Sequence, residues 1–153
     1  MKPITKILVP IDFSEASKEA IRTGAELSRR FGASLTLVHV QEPINLIVPD
    51  GYAFFVPGQH EQIHAELEKA LAAEKQVAEA VGVAQTQTRL IDGIASFSIV
   101  ELARKEGFEL IVMGTHGRTG LKHVLLGSVA ERVLRTASCP VLTVKAQEPA
   151  HAD

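Results

Sequence analysis

One cysteine, Cys139, in 153 residues leaves no partner for an internal disulfide, so the fold has to be held by its core. Long hydrophobic runs are missing too. The start Met1-Lys2-Pro3-Ile4-Thr5-Lys6 leads into only five apolar residues, Ile7 to Ile11, too few for a signal peptide or a membrane span. A cytoplasmic chain with no membrane partner is expected. Nor is there an excess of positive charge: 16 basic residues stand against 18 acidic ones, a formal net charge of -2. That excludes the global field of a nonspecific nucleic-acid binder. The chain has no Gly-Lys dipeptide for a P-loop and no Gly-x-Gly for the dinucleotide fingerprint, so kinase-like and Rossmann dehydrogenase readings fall away. No Ser-His-Asp grouping and no paired carboxylates can be read from it, which leaves fast general-base chemistry without obvious residues.

What is present suffices for one domain. A chain of this length buries about 70% of the surface its unfolded form exposes, and 46% apolar residues supply the side chains. The reading is a single domain over residues 1–146 with a frayed tail, 147–153. Ile7 to Ile11 reads as a strand buried on both faces. Ser14 opens a helix with Ala16, Ala20, Ile21, Leu27 and Phe31 near helical spacing, and Gly32 ends it. Leu35 to Val40 repeats the buried-strand pattern, followed by a Pro- and Gly-rich loop through residue 58. Residues 59–81 form the longest helix, stopped by Gly82. From Ala84 to Ile91 polar and apolar residues alternate, the mark of a poorly covered edge strand. Asp92-Gly93 turns into a third helix with Ile94, Phe97, Val100, Leu102 and Ala103 as its inner side. Leu110 to Met113 is a short buried strand. Ser128 begins a helix carrying Val129, Val133 and Leu134, and Pro140 to Val144 is the last strand. Strands alternating with helices predict a doubly wound, five-stranded parallel sheet, an α/β fold of order 3-2-1-4-5 with helices on both faces. The order reverses between strands 1 and 4, where ligands bind in such sheets.

That reversal brings Asp12 beside the loop that starts at Gly114. The loop carries Gly114, Gly117, Gly120 and Gly127, and between Glu109 and Glu131 it holds Arg118, Lys122, His116 and His123 but no acidic residue. Glycines admit backbone N–H groups to an anion, and the helix starting at Ser128 points its positive end the same way. The alternative is a connector whose glycines merely turn the chain. Asp12 suits a ribose hydroxyl or water-held Mg²⁺, or else a helix cap.

Gly114, two residues, Gly117, nine residues, Gly127, then Ser128 resembles the motif of the ATP-binding subgroup of the universal stress protein family. Ile7-Leu8-Val9-Pro10-Ile11-Asp12 and Cys139-Pro140-Val141-Leu142 look like that family's first and last strands. The resemblance covers nearly the whole chain and implies a fold like that of the adenine nucleotide alpha hydrolases. It implies that Asp12 contacts the ribose or adenine side of ATP, with Pro10 and Ile11 next to it. Val40 would meet adenine through its backbone, and Met113 and Gly114 would line the nucleoside. His116, Gly117, Gly127, Ser128 and Val129 would surround the phosphates, with Mg²⁺ accompanying them. An ATP-binding regulatory protein of the stress response, with at most slow hydrolysis, is the leading expectation. An enzyme using ATP for phosphoryl or adenylyl transfer and a nucleotide-free interaction module are the alternatives. The apolar last strand lies at an edge, which predicts a homodimer through that strand.

Three other features bear on chemistry. His60-Glu61-Gln62-Ile63-His64 satisfies H-E-x-x-H, the zinc-protease pattern. It follows Pro57-Gly58, and Glu68, Glu74 and Glu79 cannot fold back onto it at ~1.5 Å rise per residue. A third ligand is therefore missing along that helix, and no metal set is assigned. Cys139 reads as a small apolar side chain, and His39 as a satisfied core residue or pocket wall.

Overall fold

A computed structural model describes residues 2–43, 58–116 and 126–146; the tail 147–153 and most of the loop after the second strand lie outside them. The first apolar run becomes β1 (Lys6–Pro10), buried from Ile7 onward. Ser14 caps α1 (Glu15–Phe31) by accepting from the Ser17 N–H at 3.2 Å, and Gly32 ends the helix with φ 66, a conformation glycine adopts without a Cβ penalty. There follow β2 (Ser34–Gln41), α2 (Gln59–Ala80), β3 (Thr86–Asp92), α3 (Ala95–Glu106), β4 (Leu110–Gly114), α4 (Ser128–Thr136) and β5 (Val141–Val144).

All the pairings are parallel and the five strands run β3-β2-β1-β4-β5, as the crossover argument requires. Alternation along β1 divides the core. Ile7 and Val9 face the layer that holds Ile21, Ala25 and Leu71 of α1 and α2, while Leu8 joins Ile99, Ala103, Ala130 and Val133 of α3 and α4. β3 alternates in exposure as an edge strand does, and β5, at the other edge, has no fully buried residue.

Three helix faces differ from expectation. In α3 the buried residues are Ser96, Ile99 and Ala103, whereas Ile94 and Phe97 are 62% and 66% exposed. The helix begins after Ile94, and residues spaced three and four apart from the small Ser96 point inward, which turns Phe97 out by ~100°. In α4 it is Ala130 that packs with Val133, leaving Leu134 exposed, and Phe31 is exposed in the last turn of α1. Small residues fill these inner faces because helix and sheet approach closely. At Gly24 an added Cβ would come within 2.6 Å of Val9 Cγ2.

Candidate functional site

α1 and α2 return the chain toward one edge of the sheet, α3 and α4 toward the other, so the carboxyl ends of β1 and β4 are left unroofed. A cleft of about 450 Å³ opens there, within the ~300–1,000 Å³ usual for small-ligand sites. Pro10, Ile11 and Asp12 enter it from β1, Val40 from β2, Met113, Gly114 and His116 from β4, and Gly127, Ser128 and Val129 from the start of α4. Ten of the eleven residues singled out by sequence are thus brought together. The eleventh, Gly117, lies outside the described residues, as do Arg118, Lys122 and His123.

Asp12 faces the cleft and also accepts the Ser14 N–H on Oδ1 at 3.0 Å. It shapes the turn into α1 while Ser14 itself caps the helix. Between them Phe13 takes φ 64, a conformation that costs of order 1–3 kcal/mol for a residue with a side chain. Its ring rests on His39, centroids 5.0 Å apart. His39 is buried, with Nδ1 2.8 Å from the Ile11 carbonyl oxygen. A carbonyl only accepts, so Nδ1 carries the hydrogen. His39 is both a satisfied core residue and a wall of the cleft.

The backbone edge of β2 is open at the same place. The Ile11 N–H donates to the Val38 carbonyl at 2.8 Å, and strand parity turns the N–H and C=O of Val40 toward the same side, past the end of β1 at Pro10.

Opposite lies a buried hub that the sequence did not disclose. Thr115 donates its N–H to the Val144 carbonyl at 2.9 Å and accepts the Gly127 N–H on its own carbonyl at 2.6 Å, so one residue ties β4, β5 and the start of α4. The Thr115 hydroxyl and His116 Nδ1 lie 2.9 Å apart. The Glu131 N–H closes the first turn of α4 on the Gly127 carbonyl, which leaves the N–H groups of Ser128, Val129 and Ala130 without intrahelical acceptors at the cleft wall. Gly127 has φ -68 and ψ 157, open to any residue. Gly114 serves packing: a Cβ there would meet Ala16 Cβ at 2.8 Å.

Glu42, also missed, lines the cleft and accepts the Ala95 N–H at 3.0 Å. Ile94 stands at the N-cap of α3 without a capping side chain, so the acceptor had to come from another element. Cys139 lies at the opposite, amino end of the sheet, where burial raises its thiol pKa and disfavours the reactive thiolate.

Fold and cleft together define a doubly wound α/β protein with a ligand cleft at its topological switch point. The pattern of the universal stress protein family matches residues 3–145, and the chain belongs to that family. It is 39% identical over 142 residues to Universal stress protein MJ0531 of Methanocaldococcus jannaschii, covering 92% of this chain and 81% of that one. It is 37% identical over 145 residues to Universal stress protein A homolog 1 of Coxiella burnetii, covering 93% and 96%. Among solved structures, that of M. jannaschii MJ0577 superposes with a TM-score of 0.83 at 30% identity, over 97% of this chain and all (100%) of that one. A universal stress protein in complex with cAMP gives a TM-score of 0.73 at 23% identity, covering 95% and 100%. One from Archaeoglobus fulgidus in complex with dAMP gives 0.66 at 22%, covering 94% and 100%. Among the described residues no helix is long and apolar enough to cross a membrane.

Proposed function

We propose that this chain is an ATP-binding regulatory protein of the stress response, acting in the cytoplasm as a homodimer. ATP lies in the cleft between β1 and β4, Mg²⁺ accompanies its phosphates, and hydrolysis is slow at most. The observation that carries this reading is the first turn of α4, whose free N–H groups open onto the cleft at the positive end of the helix. The apolar flank of Val40, Ile99 and Met113 suits a base, with the backbone edge of Val40 beside it. Asp12 is placed to accept from a ribose hydroxyl, and its carboxylate and that of Glu42 suit a water-held Mg²⁺. The relatives with cAMP and dAMP share this fold, and the sequence motif Gly114, Gly117, Gly127, Ser128 resembles that of the ATP-binding subgroup.

Calorimetry with ATP, ADP and AMP tests it. Affinity is expected to fall as phosphates are removed, and to fall sharply in Gly127→Leu, which adds a side chain at the cleft wall on a backbone that accepts one. Asp12→Ala is expected to lose ~1–3 kcal/mol of binding, the worth of a charge-assisted hydrogen bond. Parental affinity in both variants, or no binding by the parent chain, would reject the reading.

A further inference from the structure

The H-E-x-x-H segment finds a third partner where the helix alone offered none. His60 and His64 project from the first turns of α2, ring centroids 4.2 Å apart, and both turn Nε2 toward Asp92, the last residue of β3. The separations are 3.7 Å from His60 to Oδ2 and 2.9 Å from His64 to Oδ1. The three groups offer one ligand atom each, all within 4.8 Å of one another. We propose that His60, His64 and Asp92 bind a divalent transition-metal ion of the zinc type.

The geometry accepts such an ion after small side-chain rotations, the two histidines now facing different oxygens of Asp92. Bonds of ~2.0–2.2 Å in a tetrahedron put ligand atoms ~3.3–3.6 Å apart, and the two measured separations fall on either side of that spacing. His60 and Asp92 are 55% and 50% exposed, so both can make the small rotation that closes the set. Two imidazoles and one carboxylate are a donor set for zinc, copper or nickel rather than for magnesium or calcium. A fourth position stays open to water. In the metal-free arrangement His64 donates Nε2–H to Asp92; on binding, its ring proton moves to Nδ1 and the Nε2 lone pair goes to the ion. The ligands come from two elements, so the ion would tie the start of α2 to the end of β3. The site is one for binding, and no bond-breaking step is attached to it.

The test uses the full chain without nucleotide, so that phosphate chelation does not enter. Zn²⁺ is titrated against a chromophoric chelator, Co²⁺ is followed by visible absorption, and melting is recorded with and without Zn²⁺. Expected are one ion per chain, an intense Co²⁺ d–d band of a low-coordinate site, and a higher melting temperature with Zn²⁺. His64→Ala and Asp92→Asn should each weaken Zn²⁺ binding by at least about tenfold and abolish the thermal shift. Their metal-free melting temperatures should stay near that of the parent, because Asp92 is exposed and His64 only partly buried. Undiminished Zn²⁺ binding in a His60→Ala/His64→Ala double variant would overturn the proposal. So would a parent chain with no saturable binding below about 1 mM, which is adventitious binding only.

Discussion

Asp12 does two things with one carboxylate: it fixes the turn into α1 through the Ser14 N–H and it faces the cleft. The cap itself is Ser14, not Asp12; the turn contact and the place on the cleft wall are compatible because a carboxylate has several acceptor sites. Gly114 teaches the reverse, since a motif glycine that reads as room for an anion is held by the approach of α1. Gly114→Val is expected to destabilise by ~1–3 kcal/mol through overpacking against Ala16, measured as a lower urea midpoint with nucleotide absent. An unchanged midpoint would return the residue to the cleft alone. At the far end of the sheet one carboxylate oxygen of Glu109 accepts the Thr5 N–H, the Thr5 hydroxyl and the Lys6 N–H at 2.6, 2.9 and 2.9 Å. These bonds, the Thr5 N–H first, hold its pKa below the usual value. A depressed carboxyl stabilises the fold above its unfolded pKa of about 4.3 and loses that effect as pH falls through the folded value. Glu109→Gln should therefore melt below the parent near about pH 7, with the two converging as pH falls below the ordinary carboxylate range. A constant gap across that range would show that ionisation plays no part.

Among the elements, strands were legible and helix faces less so. β1 and β2 announce themselves by continuous apolar residues, and β3 by alternation, because burial on both faces or on one leaves a direct mark on composition. The inner face of α3 did so only in part: Val100, Leu102 and Ala103 pack on the core as expected, whereas Ile94 and Phe97 do not. A polar but small Ser96 sits inside and a large Phe97 sits outside, since shape rather than polarity decides what fits where a helix lies close on a sheet. Ile99→Ala is expected to cost ~2–5 kcal/mol and Phe97→Gln no more than ~0.5 kcal/mol; urea midpoints in the opposite order would restore the sequence-based face. The partner of His60 and His64 was hidden for a related reason. It lies not further along α2 but at the end of β3, because the crossover returns β3 to the carboxyl end of the sheet, where α2 begins. Helices antiparallel to parallel strands put every helix start and every strand end on one rim, and that rule alone would have pointed to Asp92.

For the whole molecule, handed crossovers left few sheet orders, and the observed one follows from the direction in which each pair of helices returns the chain. The position of the cleft follows from that order without any motif. β5 forms an edge with Leu142 39% exposed, and a second copy pairing along it would satisfy its free backbone groups. Sedimentation at micromolar concentration is expected to show a dimer, and Leu142→Lys to shift it toward monomer; a monomeric parent chain would remove the dimer from the reading. The seam beneath the cleft is also the sparsest join beside β1: two residue pairs link β1 to β4, against five linking β1 to β2. At the amino rim Glu109, just before β4, holds Thr5 and Lys6 at the start of β1, so one side chain carries across this seam part of the join that the short ladder leaves out.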